Sequence, residues 1–193
     1  KMATFKVQFR ITNVRQRVGV ILYNITHNAE KTSVVTGINL PEKYWYKYKA
    51  SVVANNQTIS YIDRIEADLL LLKLIDRRLS DKIKLYNVNE ISIRFNANND
   101  EQGFLSYMCM QILKLIQFKK LGTANNYLHT LYSFMDFLDG YNIGIGCLTE
   151  TLVERYDLYL LNRGLKRNSI SFYMRILRSV YNKAVRQRLV VQT

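Results

Sequence analysis

Apolar residues in this 193-residue chain keep two different periods, and the change of period falls on one short polar run. Asn96-Ala97-Asn98-Asn99-Asp100-Glu101 has nothing to bury and reads as a linker. Ahead of it the chain opens on strict alternation. Phe5, Val7, Phe9 and Ile11 lie on one face, with Lys6, Gln8, Arg10 and Thr12 on the other, as in a half-buried strand with a basic outer face. Beyond the run every apolar stripe recurs at helical spacing. The pattern predicts an α+β chain in three parts. Residues 1–95 form a three-stranded antiparallel sheet packed on a helix, 96–101 the linker, and 102–193 an all-α bundle of four helices.

Within the first part, Val18 to Thr26 is apolar and β-branched, a second strand. His27-Asn28-Ala29-Glu30 reads as a hairpin turn and Lys31 to Thr36 as a third strand, with Gly37 to Pro41 ending the sheet. Glu42 to Tyr48 is expected to be a short helical turn whose aromatics cover one sheet face. From Thr58 to Leu79, a stripe of Ile59, Ile62, Ile65, Leu69, Leu72, Ile75 and Leu79 predicts a helix lying across the sheet. A short helix near Val88 to Phe95 follows, capped by Asn87.

The second part predicts helices over about Gly103 to Lys120, Thr123 to Leu138, Thr149 to Asn162 and Lys166 to Arg188. Thr123 and Asn168 are the expected N-caps of the second and fourth. The last helix has two unlike sides. Ile170, Tyr173, Leu177, Val180, Tyr181 and Ala184 are apolar and fit a core, whereas Arg167, Ser171, Arg175, Arg178 and Asn182 line another side. After Asp157 the chain carries eight cations, Lys166 among them, and no carboxylate. A solvated helix ordinarily mixes signs, because opposite charges four apart help it and like charges cost a little.

Net charge is +13, divided as +8 in residues 1–95, −2 in 96–101 and +7 in 102–193. Two separately basic parts suggest two anion-binding modules, with nucleic acid as the first candidate partner and an anionic membrane surface as the second. No apolar run reaches the roughly 18 residues a membrane span needs. The start KMATFKVQF lacks a signal-peptide core, and Cys109 and Cys147 stand far apart, so a reducing cytoplasm is expected.

Candidate reactive chemistry is sparse. His27 and His129 lack metal-type spacing, the cysteines form no CxxC, and no phosphate-cradling glycine motif or GxSxG occurs, so no catalytic residue, metal or cofactor is expected. The positive candidates are polar faces that can read base edges and bind phosphates. They are Asn126, His129, Thr130 and Ser133 on the second helix of the bundle. On the fourth they are Lys166, Arg167, Ser171, Arg175, Arg178 and Asn182. In the first part, Lys6 and Arg10 on the strand beside Arg15 and Arg17 in the following turn could enter a groove as a β-ribbon does. A merely solvated face is the competing reading for each.

Several residue runs resemble a known family. These are Thr123-Ala124-Asn125-Asn126-Tyr127 with Phe134 and Phe137, Leu148-Thr149, and Tyr159-Leu160. They continue with Gly164-Leu165-Lys166-Arg167-Asn168-Ser169-Ile170, Tyr173 to Arg178, and Tyr181-Asn182-Lys183-Ala184. Together they resemble the core-binding, SAM-like domain of tyrosine recombinases, most closely the integrases of Bacteroides-type mobile elements. The first part, with Gly19 to Thr26, Thr36-Gly37 and Trp45, looks like their arm-type DNA-binding domain. The resemblance implies the DNA-binding N-terminal portion of a bacterial site-specific recombinase. The whole enzyme would cut and rejoin DNA through a phosphotyrosyl intermediate without cofactor, working as a tetramer on double-stranded core and arm-type sites. It implies a cytoplasmic, nucleoid-associated protein with no membrane partner. The family's His-x-x-Arg is not in this sequence, so this portion is expected to bind DNA without catalysis, and by itself as a monomer. A stand-alone DNA-binding regulator or architectural protein is the alternative.

Overall fold

The computed structural model describes residues 2–83, 85–96 and 103–190. The chain divides into two units, Lys1–Asp100 and Glu101–Thr193. Of the expected linker only Asn96 is among the described residues, where it follows the last helix of the first unit.

In the first unit β1 (Thr4–Asn13), β2 (Val18–His27) and β3 (Glu30–Pro41) form one antiparallel sheet in the order β1-β2-β3. The β2–β3 hairpin is tight. His27 pairs with Glu30, and Asn28 and Ala29 between them take φ of 47° and 68°. Positive φ at both positions matches the turn to the right-handed twist of the strands. β3 does not end at Gly37 as expected. Gly37, at φ 69°, lies beside a register shift between Val20 and Leu22. Thr36 fills the irregularity: its hydroxyl donates to the Ile21 carbonyl at 2.9 Å and accepts the Ile38 N–H at 3.0 Å. A glycine in the left-handed region therefore makes a bulge, and pairing resumes to Pro41.

One sheet face carries Ile21, Tyr23, Ile25, Val34, Ile38 and Leu40, all buried, with β1 contributing half-buried Phe5, Val7 and Phe9. Two helices share this core: α1 (Ile59–Lys82) and α2 (Val88–Phe95). Asn87 caps α2 by accepting the Asn89 N–H, and Phe95 meets the Tyr23 ring edge-on at 5.9 Å. The α1 stripe is broader than expected on one flank and narrower on the other. Ile65, Leu71, Leu72, Ile75 and Leu79 are buried; Ile62 and Leu69 are only half-buried, and Ile59 is exposed. Two carboxylates replace them. Asp68 accepts the Tyr23 hydroxyl at 2.9 Å, and Asp76 accepts the Ala3 N–H at 3.0 Å and the Tyr86 hydroxyl. Burial pushes the Tyr23 phenol well up, and the neighbouring Asp68 charge adds to it. His27, expected as a turn residue, is buried and stacked on Tyr86 at 4.3 Å. The turn is so short that β2 still packs at its last residue.

The second unit holds α3 (Phe104–Gln117), α4 (Leu121–Phe137), α5 (Glu150–Asn162) and α6 (Arg167–Arg186). Phe134 is at its centre, fully buried against Phe104, Phe137 and Tyr156 at ring distances of 5.8, 5.8 and 5.0 Å. Thr149 caps α5 by accepting the Leu152 N–H. The other two expected caps are displaced. α4 begins two residues before Thr123, behind Lys120, and α6 begins at Arg167, behind Lys166, with Asn168 inside its first turn. The reason is the way the preceding helices end. At α5, Gly164 takes φ 79° and donates to Leu161, while Leu165 donates back to Leu160. At α3, Lys119 takes φ 57° and Lys120 donates to Leu115. Each is a left-handed C-terminal closure that reverses the chain in very few residues, so the next helix starts sooner than its best capping side chain.

The start of α3 is fixed by a second short link. Phe104 N–H donates to the Ile143 carbonyl, and Asn142 Oδ1 accepts the Leu105 N–H at 2.9 Å. A Cβ on Gly103 would fall 2.0 Å from the Asn142 amide. Gly103→Ala is therefore expected to cost about 2 kcal/mol through forced displacement of that amide. Gly122→Ala, with nothing within 4 Å of its Cβ, should not destabilise. Thermal melts of the two variants check this.

Candidate nucleic-acid interface

α6 packs through Ile170, Ile176, Leu177, Val180 and Ala184, with Tyr173 and Tyr181 half-buried at the margin. Ile176 is the one buried residue the spacing did not assign to that side. With this face fixed inward, Arg167, Ser171, Arg175, Arg178 and Asn182 are all exposed along the other, and Lys166 is exposed just ahead of them. Arg167 donates to Asp157 at 3.0 Å. Arg175 and Arg178 pair with no carboxylate among the described residues. Their positive field is therefore not cancelled locally and is available to a polyanion. Beside this face α4 and α6 are clamped. The Tyr127 hydroxyl lies 3.1 Å from Ser179 Oγ, and Lys183 donates to it at 3.3 Å with its ammonium 5.2 Å over the ring.

The α4 candidates divide. Asn126 and His129 are exposed. Thr130 is fully buried, its hydroxyl donating to the Asn126 carbonyl one turn back at 3.0 Å. Ser133 is half-buried and accepts the Tyr156 hydroxyl from α5 at 2.7 Å. Thr130 and Ser133 thus do not face outward as expected. A wheel of α4 alone cannot show that α5 packs along that flank, where small hydroxyls are absorbed by internal bonds.

In the first unit, Lys6 and Arg10 are exposed on the sheet face opposite the helices. Asn13 holds the next turn by accepting the Gln16 N–H at 3.0 Å; Arg15 is exposed within it. Arg17, also exposed, is anchored to Glu42 at 2.9 Å. The outer face also carries a feature that single-strand alternation does not reveal. Lys6, Asn24 and Ser33 align across the three strands. Asn24 Nδ2 donates to Gln8 Oε1 at 2.6 Å, and Ser33 Oγ donates to Asn24 Oδ1 at 2.7 Å. Gln8 lies between Lys6 and Arg10 on β1, and Asn24 and Ser33 continue the ladder in register with Lys6, with amide and hydroxyl groups of the kind that pair with base edges. Only the strand register brings Gln8, Asn24 and Ser33 together. The available signal was that Asn24 interrupts the apolar run from Val18 to Ile25 in the central strand.

No helix of the described residues is long and apolar enough to cross a membrane. Neither the curated proteins nor the solved structures searched give a match to the chain. The helical half is different: residues 103–193 match the family model of the phage integrase SAM-like domain.

Proposed function

We propose that the chain is the DNA-binding portion of a site-specific tyrosine recombinase of a mobile element. The helical unit would grip the core site, and the sheet unit would bind a separate arm-type site. The observation that carries the reading is α6: one side packed as core, the other lined by Arg175 and Arg178 with no acid to neutralise them. The match of residues 103–193 to an integrase domain supports the same direction. On this reading Arg167, Arg175 and Arg178 bind phosphates, and Asn126, His129, Ser171 and Asn182 contact the groove. Lys6, Arg10 and Arg15 do for the arm site what the α6 cations do for the core site, with Gln8, Asn24 and Ser33 facing the bases. Cleavage and rejoining belong to residues other than these.

The test is the salt dependence of duplex binding by the whole chain. Four to six phosphate contacts predict that log affinity falls against log salt with a slope between about −3.5 and −5.5. A slope near zero, or duplex binding too weak to measure at low salt, overturns the reading.

A further inference from the structure

One segment is left unused by the reading above. Residues 43–49 run Lys-Tyr-Trp-Tyr-Lys-Tyr-Lys, and no carboxylate follows Glu42 until Asp63. The segment is a small built platform. β4 (Trp45–Tyr46) pairs with β5 (Ser51–Val52), and Ala50, at φ 46°, makes the reversal. Trp45 stacks on Phe9 at 5.7 Å, the Tyr44 hydroxyl donates to Gln57, and Val53 N–H donates to the Tyr44 carbonyl at 2.7 Å.

Trp45 therefore covers the edge of the sheet core as expected, but the next tyrosines do not. Tyr46 is 44 % exposed and Tyr48 91 % exposed, their rings meeting edge to face at 5.9 Å. The Lys43 ammonium is 4.9 Å over the Tyr44 ring, and that of Lys49 is 5.8 Å over Tyr46. Glu42, the one acid adjoining the segment in sequence, is already taken by Arg17.

Aromatic rings left in water forgo the burial that ordinarily places them inside. Here they stand on a braced hairpin with ammonium groups around them. That combination fits a strand whose bases have free faces and whose phosphates run alongside. Bases stack on the rings whatever their identity, and the lysines follow the backbone. A duplex turns its base faces toward one another and would leave both rings uncovered. We infer that the Lys43–Lys49 platform is a single-stranded DNA contact, with Tyr46 and Tyr48 as stacking residues and Lys43, Lys47 and Lys49 as phosphate contacts. The inference rests on the DNA-binding reading only for the choice of DNA as polyanion; its residues are different.

The experiment measures anisotropy of a labelled thymidine oligonucleotide of about 16 nucleotides and of a duplex, each titrated with the whole chain. Tyr46→Ser with Tyr48→Ser is expected to weaken single-strand binding about tenfold or more while leaving duplex binding and the melting temperature unchanged. Lys47→Gln with Lys49→Gln should flatten the salt slope for the single strand by about 2. Unchanged single-strand binding in the tyrosine variant overturns the inference, as does an equal loss on duplex. Tighter binding to phosphatidylglycerol vesicles than to the oligonucleotide also overturns it, and assigns the platform to a membrane surface. If duplex binding is absent but the tyrosine variant loses the single strand, the proposed function fails and the platform stands. The reverse result leaves the proposed function standing without it.

Discussion

Replacing Arg175 and Arg178 together by alanine is expected to weaken duplex binding by about 2 kcal/mol or more, roughly 30-fold in Kd, and to flatten the salt slope by about 1.8. Both side chains are exposed on a helix whose opposite side is packed, so truncation removes charge without opening the core. Nothing nearby compensates, because neither arginine shares its charge with a carboxylate among the described residues. Arg167→Ala should do less, since its guanidinium is partly neutralised by Asp157 at 3.0 Å and its removal frees that acid as well. Anisotropy titrations at several salt concentrations separate the two effects. A double variant with the affinity and slope of the parent chain would show that DNA does not approach α6.

Phe134→Ala is expected to destabilise the helical unit by about 3–5 kcal/mol, a fall in Tm on the order of 15 °C or more. The ring is fully buried and contributes contacts to α3 through Phe104 and to α5 through Tyr156, so its loss opens a cavity where three helices meet. That is a large share of a domain's total stability, which is about 5–15 kcal/mol. Duplex binding should fall with it, because the α6 face keeps its orientation only while its apolar side is held. Leu158→Ala is the matched control: Leu158 lies on α5 but is 58 % exposed, and a surface change of that kind should cost no more than about 0.5 kcal/mol. Equal melting temperatures for the two variants would contradict the packing described.

The sequence carried the parts of this protein that depend on local repetition. Alternation along Phe5, Val7 and Phe9 is enough to place a strand, because successive side chains must point to opposite faces. The spacing of Ile170, Leu177, Val180 and Ala184 is enough to orient α6, because residues three and four apart share a helix face. The fold class, the four helices of the second unit and the exposed cations of α6 are legible for that reason. So is the likeness of the helical half to an integrase domain.

Tertiary structure decided what depends on a neighbour. Thr130 and Ser133 look outward on a wheel of α4, yet one is buried with its hydroxyl on its own backbone and the other holds a tyrosine from α5. Asn168 and Thr123 are good caps that lost their positions because left-handed closures after α5 and α3 began the next helix early. Asp68 and Asp76 entered the core because Tyr23, Tyr86 and the Ala3 N–H satisfy them there. The Gln8, Asn24 and Ser33 ladder exists only once register sets three strands side by side. A period states which residues share a face; what covers that face is set by the rest of the chain.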